Sequence, residues 1–177
     1  MLNAEGPYTD DPDDSGGPTN RGISWDTWTT FALSMLGVEP TLDNLKKLTK
    51  EQALIIYKNQ YWDRIKADQI EDGDLRYLLF DFNVTSGSIS VKVLQRTINS
   101  LGGSIAIDGV IGNKTLALIN SINSIELYNK FKLNRQLFYN ELVIRRPKDA
   151  KYINGWTNRV NTFKNKTISK PKNVNCK

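Results

Sequence analysis

The 177 residues include no histidine and one cysteine, Cys176. Without histidine the chain lacks the usual general base near neutral pH and the commonest metal ligand. That disfavours serine-histidine hydrolases, zinc amidases and most zinc peptidases. A single cysteine in a polar tail closes no intramolecular disulfide and builds no structural thiolate zinc site. No metal and no cofactor are therefore expected, and catalysis has to run on carboxylates, hydroxyls, amides or lysine. Long apolar runs are missing too: none approaches the roughly 20 residues that cross a bilayer. The first five residues, Met1 to Glu5, carry neither the basic nor the apolar segment of a signal peptide.

What the chain does have is charge, unevenly placed. Residues 1–80 hold 14 Asp and Glu against 8 Lys and Arg, whereas residues 81–177 hold 5 against 16. An acidic front joined to a basic back suits a polyanionic surface and steers the front electrostatically. Nucleic acid is not expected as the partner, because no nucleic-acid-binding motif accompanies the basic charge. The acidic front is most concentrated between Glu5 and Asp14, where Glu5, Asp10, Asp11, Asp13 and Asp14 crowd into a stretch broken by Gly6, Pro7 and Pro12. Five carboxylates repel one another, and glycine and proline forbid regular helix, so such a loop costs stability unless it is used. A calcium loop is disfavoured, since the EF-hand spacing and closing glutamate are absent. A solvated turn remains compatible with the composition. A pair of carboxyl groups, one protonated and one ionised, is also the minimum equipment for hydrolysing a glycoside. Glu5 with Tyr8 or Ile23 as apolar neighbours would have the raised pKa that suits an acid.

The run formed by Glu5, Gly6, Tyr8, Asp11, Pro12, Asp14, Gly16, Gly17, Thr19, Gly22 and Ile23 resembles the signature of glycoside hydrolase family 108, the lysozyme-like muramidases of phage endolysins and bacterial secreted proteins. Tyr57, Tyr61, Trp62 and Asp63 resemble that family's helix ending in Tyr-Trp-Asp. Phe80, Asp81, Phe82, Val84, Ser86 and Gly87 resemble its next segment. Leu94 to Arg96 and Asp108 to Leu116 resemble the peptidoglycan-binding region that follows. The chain departs from the pattern at Pro7, where the family has glycine, at Thr85, where it has asparagine, and in having only four residues before Glu5.

The resemblance implies an all-α, lysozyme-like fold with at most a small β-hairpin near the N-terminal loop. It implies a catalytic region over 1–86, a helical peptidoglycan-binding region over 87–169, and a basic tail over 170–177. The implied reaction is hydrolysis of the β-1,4 bond between N-acetylmuramic acid and N-acetylglucosamine, as in an endolysin. Glu5 would be the general acid, Asp14 would balance charge or position water, and Thr19 would orient that water. Tyr8, Trp25 and Trp62 are candidates to stack on sugar faces or to join the core, and Asp81 is expected to line the cleft or cap a turn. The expected partner of this monomer is peptidoglycan, with anionic envelope polymers or lipid against the basic half. The expected route is synthesis in the cytoplasm and release by a holin, a secretion machine or lysis. The departures motivate an alternative, a catalytically impaired wall-binding or structural protein on the same fold.

Local signals outline the helices. Ser24 caps a helix to about Leu36, stopped by Gly37, with Trp25, Trp28, Phe31, Ala32 and Met35 on one face. Thr41 opens a short helix with Leu42 and Leu45, and Thr49 with Gln52 forms a capping box for the next. A turn at 68–74 precedes an apolar helix carrying Leu75, Leu78, Leu79 and Phe82. Further helices are expected from Ser88 to Ser100, from Asn113, from Ile125 to Ile144 and from Tyr152 to Ile168. The inner side of the long one is expected to carry Leu127, Phe131, Leu137, Phe138, Leu142 and Val143. Asp108 is expected to hold the intervening loop and cap the next helix.

Overall fold

The computed structural model describes residues 8–10 and 17–167. The fold is all-α with one two-stranded hairpin, and eight α-helices lie among the described residues. The chain divides into two compact units, Met1–Asp63 and Arg64–Lys177.

In the first unit, β1 (Thr19–Asn20) pairs antiparallel with β2 (Ile23–Ser24), Asn20 opposite Ile23. The two residues between the strands, Arg21 and Gly22, both have positive φ, 50° and 73°. That is the signature of a type I′ turn, whose twist matches that of the strands. Glycine adopts it freely, whereas Arg21 has to be held there. It is held twice: its Nε donates to Leu48 O at 2.9 Å, and its own carbonyl accepts from the Tyr57 hydroxyl at 3.2 Å. Three short helices surround the hairpin: α1 (Trp25–Leu36), α2 (Leu42–Lys46) and α3 (Lys50–Tyr57). Their caps match the sequence signals. Ser24 and Thr41 each accept a backbone N–H, Thr49 and Gln52 form the reciprocal box, and Gly37 ends α1 at φ 64°. Trp28, Ala32, Leu45, Ala53 and Ile56 are fully buried and make the small core with Ile23. After α3 the backbone widens into a π-helical turn, Lys58–Trp62.

The second unit is built on α4 (Gly73–Ser86), α5 (Ser88–Ser100), α6 (Asn113–Ser121), α7 (Ser124–Arg145) and α8 (Ile153–Thr162). The long helix α7 packs against each of the other four. Gly87 joins α4 to α5 at φ 53° and ψ −138°, a conformation open essentially to glycine alone. The Asn83 amide secures this corner by donating to Gly87 O and to the Ser90 hydroxyl. By packing, α4 belongs to this unit: Leu75, Leu78, Leu79 and Phe82 are fully buried, and α4 lies on α5 and α7.

Three expectations are corrected here. The inner stripe of α7 is Leu127, Tyr128, Phe131, Arg135 and Tyr139, while Leu137 is 46% exposed; a 3.6-residue period carries the stripe through Arg135 and turns Leu137 outward. The last helix ends at Thr162, and Pro147 opens a 3₁₀ turn, Pro147–Tyr152, before it. Asp108 does not cap α6, whose N-cap is Gly112 without a side-chain bond. The Asp108 carboxylate instead accepts from Gln95 Nε2 and Val110 N, both at 2.8 Å, so it does hold the loop.

Candidate active site

A backbone bridge joins Thr9, within the acidic stretch, to Thr19 at the hairpin. Thr9 N donates to Thr19 O and Thr19 N donates to Thr9 O, each at 2.8 Å, which adds Thr9 as a bridge to the hairpin edge. The chain between them, which includes Asp14, therefore leaves and returns at a single point. Glu5 and Asp14 themselves lie outside the described residues.

The hairpin below this bridge is fixed by side chains bonded to backbone carbonyls. Buried Asn20 donates its amide to Leu45 O at 2.8 Å and to Lys46 O at 3.0 Å, satisfying carbonyls at the end of α2. Trp28 Nε1 donates to Thr41 O at 3.1 Å. Thr19 is half-buried, and its hydroxyl donates to Gly17 O at 3.2 Å. Its own oxygen keeps acceptor capacity beyond that bond. Gly17 lies against Trp25: a β-carbon built on it would sit 3.6 Å from the Trp25 Cβ. Tyr8 is half-buried, donates to Asp10 Oδ2 at 3.1 Å, and carries the Lys46 ammonium over its ring at 5.3 Å. Burial, followed by the neighbouring Asp10 acceptor, pushes the Tyr8 hydroxyl above the ordinary tyrosine range.

Tyr8, Thr19 and Trp25 thus gather around the hairpin and its loop. Trp62 is half-buried at the end of the π-helical turn in the same unit. A π-turn repositions the side chains that follow it and is a frequent companion of functional sites. Asp81 is different. It lies inside α4 in the second unit, 7% exposed. Its carboxylate accepts from Arg135 at 2.7 Å and from Arg159 at 2.9 to 3.0 Å. It does not cap a turn, because its helix continues past it, and two guanidinium groups engage its oxygens. Arg135 is fully buried under the rings of Phe82, Tyr139 and Phe163, at 5.0 to 5.7 Å. The helical period through Phe131 and Tyr139 puts Arg135 on the buried side of α7, where a cation requires a buried anion. Thr85 caps no amide network; its hydroxyl donates back to Phe82 O and meets the Tyr139 hydroxyl at 3.2 Å.

Asn20 and Arg21 were not singled out in the sequence, although an Asn-Arg-Gly turn between short strands signals a hairpin whose polar side chains find nearby carbonyls. Among the described residues no group of His, Cys, Asp and Glu could hold a metal ion. No described helix is long and apolar enough to cross a membrane.

No curated protein matches the chain. Among solved structures, that of Brucella abortus SagA is 29% identical and superposes with a TM-score of 0.76, over 92% of this chain and 86% of that one. Residues 1–87 match the model of glycosyl hydrolase 108, and residues 89–161 match a predicted peptidoglycan domain. The chain accordingly carries a glycosyl hydrolase 108 region over residues 1–87, followed in sequence by a predicted peptidoglycan domain over residues 89–161.

Proposed function

We propose that the protein is an N-acetylmuramidase, cleaving the β-1,4 bond between N-acetylmuramic acid and N-acetylglucosamine with Glu5 as general acid. The observation that carries this reading is the Thr9–Thr19 bridge. Covalent geometry keeps the Glu5 Cα within about 14 Å of Thr9, whatever the path between them. The same bridge closes the segment that bears Asp14 and sets Thr19 at its root. Acid, second carboxylate and hydroxyl are therefore tethered to one backbone contact on a hairpin pinned to α2 and α3.

The chemistry follows from these groups. Glu5, protonated, gives its proton to the leaving glycosidic oxygen. Asp14 stabilises the oxocarbenium-like transition state or aligns water, and the Thr19 hydroxyl, whose donor already serves Gly17 O, accepts from that water and orients it. Trp25 beside the loop supplies an apolar face for a sugar ring. The peptidoglycan domain match supports peptidoglycan as the substrate-bearing polymer. An endolysin-like role, with release by a holin, a secretion machine or lysis, completes the proposal.

The test uses purified sacculi. Glu5→Gln is expected to lower the clearing rate by about a thousandfold or more, the scale of losing general-acid catalysis together with transition-state charge stabilisation. Retention of wild-type clearing by Glu5→Gln contradicts the assignment. Wall binding without clearing by the wild-type chain supports instead a non-catalytic wall-binding protein.

A further inference from the structure

The outer side of α7 has a pattern that the packing of a single chain does not require. Its exposed ridge runs through Glu126, Lys130, Leu133, Leu137, Glu141 and Ile144. Steps of three and four residues keep these six side chains on one side of the helix. Leu133 is 52% exposed, Leu137 46% and Ile144 79%. One exposed leucine is ordinary, whereas aliphatic side chains repeated along a ridge form the seam by which two helices pair.

The ridge stands between two furrows. One, of about 660 Å³, lies between α7 and α8 and reaches Lys130 and Leu133; the other, of about 410 Å³, lies between α5 and α7 and reaches Lys130, Leu137 and Glu141. Helices pack by setting the ridge of one into the furrow beside another, so this surface has the relief to receive a helix.

The charges on the ridge select which helix. Outward from the two leucines the signs run positive then negative towards the N-terminus, at Lys130 and Glu126, and negative then positive towards the C-terminus, at Glu141 and Arg145. Glu141 and Arg145 meet within the chain at 3.5 Å, both exposed, which leaves them open to further partners. A second α7 laid antiparallel, about a twofold axis at the leucines, sets Leu133 against Leu137 of the second copy. The same axis sets Lys130 against Glu141 and Glu126 against Arg145, and every contact occurs twice. A parallel pair would bring like charges together instead. We propose that α7 pairs antiparallel with α7 of a second copy of this chain, forming a twofold dimer centred on Leu133 and Leu137, with Ile144 at each end.

Two opposing effects limit its strength. Residues 81–177 hold 16 Lys and Arg against 5 Asp and Glu, so the two copies repel. That repulsion is screened beyond about 8 Å at physiological ionic strength, whereas the ridge charges meet in contact. One helix face per copy also makes a small interface, below about 1,200 Å² in total, which suits association in the micromolar range.

The test is sedimentation equilibrium of the full-length chain, which is expected to show a monomer–dimer equilibrium. Leu137→Glu, at an exposed position, is expected to weaken association about a hundredfold, with the melting temperature of the dilute chain unchanged. Lys130→Glu and Glu141→Lys are each expected to weaken it about tenfold, because each sets like charges opposite one another twice. An equimolar mixture of those two variants is expected to associate as tightly as the unaltered chain, since every ridge contact between them joins opposite signs. A monomer at all concentrations, a dimer indifferent to Leu137→Glu or to Lys130→Glu, or a mixture no tighter than its components overturns the proposal. The muramidase reading stands or falls separately, on sacculus clearing by Glu5→Gln.

Discussion

The two units handle polar groups in opposite ways. In Met1–Asp63, the side chains of Asn20, Trp28, Arg21 and Tyr57 hydrogen-bond to backbone carbonyls, and Thr9 bridges Thr19 at the hairpin edge. In Arg64–Lys177, charges are paired with one another inside the packing, Asp81 with Arg135 and Arg159, and Asp72 with Lys166. These clamps onto carbonyls hold the small scaffold with few ion pairs, the exposed Lys58–Asp63 contact being one. Ion pairs in the larger unit tie its elements together, Asp81 of α4 to Arg135 of α7 and Arg159 of α8. Asp81 illustrates the second case: a conspicuous aspartate in a family-like motif, already neutralised by two arginines.

Separating the regions should have the largest effect. A fragment ending at residue 86 keeps α4 but removes α5 and α7, on which it packs. Leu75, Leu78, Leu79 and Phe82 then lose burial worth about 2 kcal/mol each. In such a fragment α4 is expected to be cut by protease far faster than in the whole chain, and equal protection would show that the hydrolase region is self-sufficient. Next in size is Arg135→Met, which removes one partner of a buried carboxylate and is expected to cost about 3 kcal/mol in urea unfolding. Adding Asp81→Leu should restore part of that loss.

Asn20→Ala probes the other strategy. It leaves two carbonyls at the end of α2 without their donor and is expected to cost about 2 kcal/mol. It should also lower activity more than Arg135→Met does at matched stability, because it loosens the hairpin under the loop.

The Asp72–Lys166 pair makes a prediction in pH. Burial alone would raise Asp72, but the Lys166 ammonium at 2.6 Å and the cap amides of Leu75 and Asp74 hold its carboxyl below the usual range. Burial alone would lower Lys166, but its bonds to Asp72 and Asp74 raise it. The Asp72 contribution is therefore complete above the unfolded value near pH ~3.9 and lost as pH falls through the lower folded value. The Lys166 contribution is complete below about pH 10.4 and lost as pH rises through the higher folded value. Lys166→Met should flatten both wings of the stability profile and cost about 1 to 2 kcal/mol at neutral pH. Smallest of all is Lys58→Ala: its pair with Asp63 is 60% and 43% exposed, and the loss should stay under about 0.5 kcal/mol.

Much of the scaffold was legible because its signals are local. Ser24, Thr41 and Thr49 with Gln52 mark helix starts by a single side chain and a fixed offset, and the structure places the helices there. Pairings distant in sequence left no such mark. The Asp81–Arg159 contact spans 78 residues, so nothing near Asp81 distinguishes a buried counter-ion from a cleft-lining acid. Leu137 was misplaced for a related reason: its hydrophobicity suggested the inner face, whereas the helical period puts Arg135 there and turns Leu137 out. At the candidate site the residue assignments rest on composition and family resemblance, and the structure adds the Thr9–Thr19 bridge and the clamps on the hairpin.

The central claim, glycan cleavage by a carboxylate site at this anchored loop, is tested most directly by mass spectrometry of borohydride-reduced peptidoglycan after digestion. The account predicts new reducing ends on N-acetylmuramic acid, absent from digests with Glu5→Gln. New ends on N-acetylglucosamine, or peptide cuts with intact glycan strands, contradict it.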